Sequence, residues 1–145
     1  MIPVDSPVSA VAATLVDLNR DDCLALLAGG LIGRVVVSDG ALPAAYPVPY
    51  LLDCGEVLFR AATTGRLAVV ATGRVVGFQA DDLDADTRTG WSVLTVGEVY
   101  EVVDPSRFAD LADRLPEPWI PDPTARMLAL PLQRLTGRRI ARQPG

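Results

Sequence analysis

The chain has 145 residues, 50% of them hydrophobic, a formal net charge of −5 and no histidine, and all 13 of its basic residues are arginine. That length suits one domain with a sizeable core. Without histidine or lysine there is no imidazole acid–base chemistry, no His-ligated zinc or haem, no internal Schiff base and no P-loop lysine. Cys23 and Cys54 alone cannot make a disulfide scaffold or a Cys-rich metal centre. The acidic balance argues against nucleic acid and anionic membranes as partners. A mean hydropathy of +0.29 favours a second subunit covering apolar surface.

Residues 1–16, with Pro3, Pro7 and many small side chains, read as an N-terminal arm, and 17–145 as a single domain. The apolar run Pro7–Val16 follows Asp5 and no basic residue, so it lacks the secretory pattern and is too short to span a bilayer; a cytoplasmic location is expected. Asp17 is the expected cap of a helix that carries Asp21 and Asp22 early, has Leu24, Leu27 and Ala28 on one face, and stops at Gly29-Gly30. The period then changes. Leu31–Ser38, Ala44–Leu52 and Glu56–Arg60 read as an antiparallel meander turned by Asp39-Gly40 and Asp53-Cys54-Gly55.

Arg66–Ala71 is predicted as a short helix and Arg74–Ala80 as a strand, followed by Asp81–Asp86 as a solvated acidic crossover that lacks EF-hand spacing. Trp91–Val103 reads as one long strand with apolar residues on both faces, which suits a closed sheet. Asp104-Pro105-Ser106 opens a helix with the stripe Phe108, Leu111, Ala112 and Leu115. A Pro-rich connection, Pro116–Pro123, leads to a last strand, Met127–Leu135, edged at Pro131. These elements sum to a mainly β fold: a barrel of six antiparallel strands with helices over its openings.

Three segments carry possible chemistry. In Arg60-Ala61-Ala62-Thr63-Thr64-Gly65-Arg66-Leu67 a strand end, two hydroxyls, a glycine and two guanidinium groups would suit a phosphate, although taken alone an ordinary capped helix explains them slightly better. In Tyr46-Pro47-Val48-Pro49-Tyr50 the prolines cannot donate to a ladder on one side, which suits either a flat ligand, with a tyrosine for stacking, or a protected sheet edge. In Arg88-Thr89-Gly90-Trp91-Ser92 the indole serves either a ligand or the core. Arg34 is placed to pair with the acidic crossover. The C-terminal Arg134, Arg138, Arg139 and Arg142 form the one basic cluster, read as a solvated end or as a substrate-anion site.

The order Gly33-Arg34-Val35, Asp39-Gly40, Pro47-Val48-Pro49-Tyr50, Phe59-Arg60, Gly65-Arg66-Leu67, Gly90-Trp91-Ser92-Val93 and Gly97 resembles the pyridoxamine 5′-phosphate oxidase-like flavin-binding split-barrel proteins, in their small actinobacterial form, from about Leu18 to Ile140. The resemblance implies a six-stranded split barrel of the flavin-reductase type and a homodimer with FMN between subunits. It assigns the phosphate to Arg60, Thr63, Thr64 and Arg66 within the segment that includes Ala61, Gly65 and Leu67. It lays Pro47, Val48, Pro49 and Tyr50 along the isoalloxazine edge and brings Trp91 and Ser92 from the other subunit. Ala61 stands where relatives usually have Thr, Arg66 where they have Lys, and Pro49 where they have Asn.

On this basis the expected function is that of an FMN-dependent oxidoreductase acting on a small molecule, with the protein binding and orienting the cofactor. A non-enzymatic or cofactor-free barrel is the alternative that Ala61 and Pro49 motivate. The deazaflavin F420 is a further alternative, although its acidic tail would want more cationic surface. Haem ranks last because no imidazole is available to ligate it.

Overall fold

A computed structural model describes residues 13–142. Strands β1 (Ala13–Leu18), β2 (Ile32–Asp39), β3 (Leu42–Asp53), β4 (Glu56–Ala61), β5 (Val75–Asp84), β6 (Thr89–Glu98), β7 (Tyr100–Glu101), β8 (Arg126–Pro131) and β9 (Arg134–Arg142) lie in the order β1-β9-β6-β5-β2-β3-β4-β8-β7. Helices α1 (Arg20–Ala28), α2 (Arg66–Ala71) and α3 (Pro105–Arg114) complete the chain. Every strand pairing is antiparallel.

The nine segments are the expected six strands with two of them bent, plus an added edge. β6 and β7 are one run of chain that leaves β5 and β9 and crosses to β8; Val99 at the bend donates its N–H to the Arg74 carbonyl. β8 and β9 are likewise joined through Leu132-Gln133, and the break follows Pro131, which closes β8. The bend requires Gly97, because a Cβ there would lie 2.1 Å from the Pro131 carbonyl oxygen, a backbone atom.

Four expectations are corrected. The last strand does not end at Leu135: β9 runs to Arg142 between β1 and β6, so Arg138, Arg139 and Arg142 lie within the sheet rather than on an end beyond it. Residues 13–16 of the expected arm belong to β1, which pairs with β9 along its length; the remainder of the arm lies outside the described residues. Asp17 is therefore a strand residue opposite Arg138, and the cap of α1 is Asn19, whose Oδ1 accepts from the Asp22 N–H at 2.8 Å. The acidic stretch is no open crossover: β5 continues to Asp84, and Asp84 Oδ1 turns the chain by accepting from the N–H groups of Asp86 and Thr87.

Both expected hairpin turns form, the first one residue later than Asp39-Gly40, because Asp39 still pairs with Leu42. Gly40-Ala41 and Cys54-Gly55 each join two strands with both φ values positive (57° and 70°, 49° and 74°), as the right-handed strand twist favours. Asp104 caps α3 through the Arg107 N–H, with Pro105 in the first turn. Among the described residues no helix is long and apolar enough to cross a membrane.

One core fills the barrel. Val35, Val57, Phe59, Phe78, Val93 and Leu128 meet Cys23 and Leu27 of α1 and Leu67, Ala68, Val70 and Ala71 of α2. A second, smaller core joins Leu111 of α3 and Leu115, the residue after it, to Leu58, Met127 and Ala129 on the outer face of β4 and β8. β8 is thus buried on both faces, which its unbroken apolar run Met127–Leu130 reflects.

Tyr50 links barrel to helix. Its ring meets Phe78 edge-on at 4.9 Å, and its hydroxyl donates to the Leu27 carbonyl at 2.6 Å, near the C-terminus of α1. Burial raises this phenol to about 12. A raised value means the folded state holds the proton more tightly, so the associated stability is present below the ordinary tyrosine range near 10 and is lost as pH rises towards 12. Tyr50→Phe is expected to cost about 1–2 kcal/mol at neutral pH and to remove the extra alkaline destabilisation. Chemical denaturation from pH 7 to 11.5 checks both effects. Gly97→Ala, measured the same way, is expected to destabilise by about 1–3 kcal/mol because the backbone must part to admit a methyl group.

Candidate functional site

β3 changes partner midway. Residues Leu42–Pro49 pair with β2, whereas pairing with β4 begins only at Tyr50. The Tyr50 N–H donates to the Leu31 carbonyl, so even-numbered residues of β3 bond towards β2 and odd-numbered ones face away. Pro43, Pro47 and Pro49 all fall in the outward set. None of them removes a bond from the β2 ladder, which explains how a 12-residue strand tolerates three prolines. Among the described residues no strand pairs with the outer edge of residues 42–48, and Ala45 supplies its one N–H.

Beside this edge lies a cavity of about 270 Å³ lined by Pro47, Val48, Pro49 and Arg60 and by the Pro-rich connection, notably Trp119 and Ile120. Trp119 and Ile120 are 82% and 84% exposed, large apolar side chains standing over the cleft. They are site residues that the sequence analysis did not single out. Their signal is a tryptophan inside a Pro-rich loop, where it has no periodic core to join.

The structure separates the two arginines expected to form one cradle. Arg60 follows Leu58 on the outer face of β4 and so lies under α3. There its Nη1 donates to the Pro116 carbonyl at 2.7 Å and its Nη2 to that of Ala112 at 3.1 Å, closing the end of the helix. Arg66, on α2, turns to the β2–β3 hairpin and grips Asp39 with both arms of its fork: Nε to Oδ2 at 2.9 Å and Nη2 to Oδ1 at 2.5 Å. Thr63 donates its hydroxyl to the Thr124 carbonyl, whereas Thr64 is exposed and Gly65 half-buried.

Other expected site residues are interior. Ala61 and Leu67 belong to the barrel core, and Val48 is buried on the inward face of β3. The Tyr50 ring, 2% exposed, packs on Phe78 and is not open for stacking on a ligand. The cause is alternation: residue 50 points inward whenever 49 and 51 face out.

Trp91 and Ser92 line a different hollow, of about 370 Å³, together with Gln79, Leu94, Thr136 and Arg138. Gln79 organises its rim: Oε1 accepts from Arg34 Nη1 at 3.3 Å, and Nε2 donates to Asp81 Oδ2 at 2.7 Å and Ser92 Oγ at 3.2 Å. Arg34 thus reaches the acidic stretch through Gln79 rather than by a direct ion pair.

A barrel whose strands bend between two sheets, with a cleft along a proline-edged strand, defines the class of split-barrel proteins. The family model described as Pyridoxamine 5′-phosphate oxidase matches residues 19–139, so the chain belongs to that family. The chain is 40% identical over 134 residues to the Uncharacterized protein Rv0080 of Mycobacterium tuberculosis, covering 89% of this chain and 88% of that one. Among solved structures it resembles a conserved protein of unknown function, DIP1874, from Corynebacterium diphtheriae: 29% identity, TM-score 0.71, 88% of this chain and 98% of that one. It also resembles the FAD binding protein from Mycobacterium smegmatis: 25% identity, TM-score 0.69, 87% of this chain and 98% of that one.

The Asp39–Arg66 pair has a testable signature. Arg66 holds the Asp39 carboxyl below its ordinary value, so the pair contributes at neutral pH and is lost as pH falls through the lowered value. Carbon NMR of the carboxylate is expected to find the Asp39 midpoint below 3.8 and returned close to it by Arg66→Gln.

Proposed function

We propose that this chain is a flavin-binding oxidoreductase of the split-barrel type, acting as a homodimer with FMN held between subunits. The observation that carries the reading is the cleft along the open edge of β3. It joins an exposed strand edge, one guanidinium group and an apolar wall in a single chain. A flavin carries an imide N–H and ring oxygens on one edge and apolar carbons on the other. The Pro47 carbonyl, free on the outward edge, suits the imide N–H. Arg60 has N–H groups beyond the two that close α3, and Trp119 and Ile120 suit the apolar part.

The chain's own chemistry limits its role to holding and orienting. The flavin, when bound, supplies the redox step, and hydride transfer obliges no imidazole. A cleft of about 270 Å³ lies below the size of most pockets for a ligand this large, which supports completion by a second copy. Exposed Trp119 and Ile120 supply apolar surface for such a copy to cover. The FAD-binding M. smegmatis relative supports a flavin in general; FMN is carried over from the family resemblance, which assigns Arg66 and Thr64 to a terminal phosphate. In that role the Arg66 fork exchanges the Asp39 carboxylate for phosphate oxygens of like geometry.

Purified protein is expected to be yellow or to take up FMN, and to release flavin fluorescence on denaturation. Arg66→Gln is expected to weaken FMN about tenfold and leave riboflavin, which lacks the phosphate, unaffected. Colourless protein that takes up neither FMN, FAD nor F420 would overturn the reading. A bound flavin that neither NAD(P)H nor a reduced deazaflavin reduces would turn it to storage or sensing.

A further inference from the structure

We propose that the hollow on the outer face of β5, β6, β9 and β1 binds a small hydrophobic carboxylic acid, with Arg138 receiving the carboxylate. The strand register builds it. Asp81, Ser92, Arg138 and Asp17 stand side by side across the four strands, and Gln79, Leu94 and Thr136 form the next row on the same face. Such a face is ordinarily solvated and polar. Here Leu15, Leu83 and Leu94 remain 59%, 57% and 42% exposed around a cavity of about 370 Å³, with Trp91 at its wall.

The polar groups in that cavity are an amide, two hydroxyls and one guanidinium, and no carboxylate lines it. Asp81 is drawn to the Gln79 amide, which also satisfies Arg34. Asp17, the cross-strand neighbour of Arg138, opens onto an adjoining depression that Arg138 also lines, and among the described residues the two make no ion pair. Arg138 is therefore the cavity's single formal charge, set beside the Ser92 and Thr136 hydroxyls at one side of an apolar bowl. A guanidinium fork flanked by hydroxyls matches a carboxylate, and the leucines match an aryl or branched alkyl body. Arg139, its chain neighbour, faces the other side of β9 and lines no part of the bowl.

The site stands on one chain and needs no cofactor. Because Trp91 and Ser92 are also assigned to the proposed flavin site, the acid would be the substrate class if that reading holds. The test uses the full chain without flavin, so that its failure leaves the flavin reading standing. In nitrogen NMR, 4-phenylbutanoate is expected to shift the Ser92, Leu94 and Thr136 amides. The neutral analogue 4-phenylbutanamide is expected to bind about tenfold more weakly to the unmodified protein. Arg138→Gln, at an exposed strand position, is expected to erase the difference between acid and amide, and Arg139→Gln to preserve it. Equal binding of acid and amide, no shift at millimolar acid, or the same loss in both variants would each overturn the proposal.

Discussion

The buried bond from the Tyr50 hydroxyl to the Leu27 carbonyl sits where β3 stops pairing with β2 and starts pairing with β4. A phenol with no water to fall back on must find an acceptor, and the end of α1 supplies one. That single contact ties helix, barrel interior and strand changeover together. The exchange of partners it anchors is what leaves residues 42–48 of β3 with one free edge. The cleft beside Pro47 and Arg60 is a consequence of topology, and the side chains only furnish it.

Two clefts lie on opposite sides of β2 in the strand order, and they differ in chemistry. The one beside β3 is framed by backbone acceptors, prolines and an exposed indole. The one over β6 and β9 is framed by leucines, hydroxyls and a guanidinium. The arginine-only composition shapes both. A planar fork can close a helix end, as Arg60 does, or clasp a carboxylate with two arms, as Arg66 does, whereas an ammonium offers one point of charge.

Much of this architecture was legible in local chemistry. The turns at Asp39-Gly40 and Asp53–Gly55 announce themselves through residues that tolerate positive φ, and Asp104-Pro105 marks a helix start by capping alone. What stayed hidden depends on partners distant in the chain. Residues 13–18 form a strand because β9 offers an edge, and nothing in their own composition competes with an arm. Asp81–Asp84 extend β5 because β6 pairs alongside, against the usual preference of aspartate. Arg60 and Arg66 are six residues apart, yet one follows the outer face of a strand and the other a helix mouth. Their divergence could not be read before the face of Leu58 was known to carry α3. Family resemblance located the segment but not the direction of its side chains.

The prolines of β3 have a final implication for solubility. An edge with ordinary N–H groups at positions 43, 47 and 49 would present a regular template to any extended segment, including the same strand of a neighbouring molecule. Three imino acids make that rim sterile to fibrillar stacking while leaving it wet and reachable. Permanent access for small molecules and resistance to self-templating thus come from the same atoms.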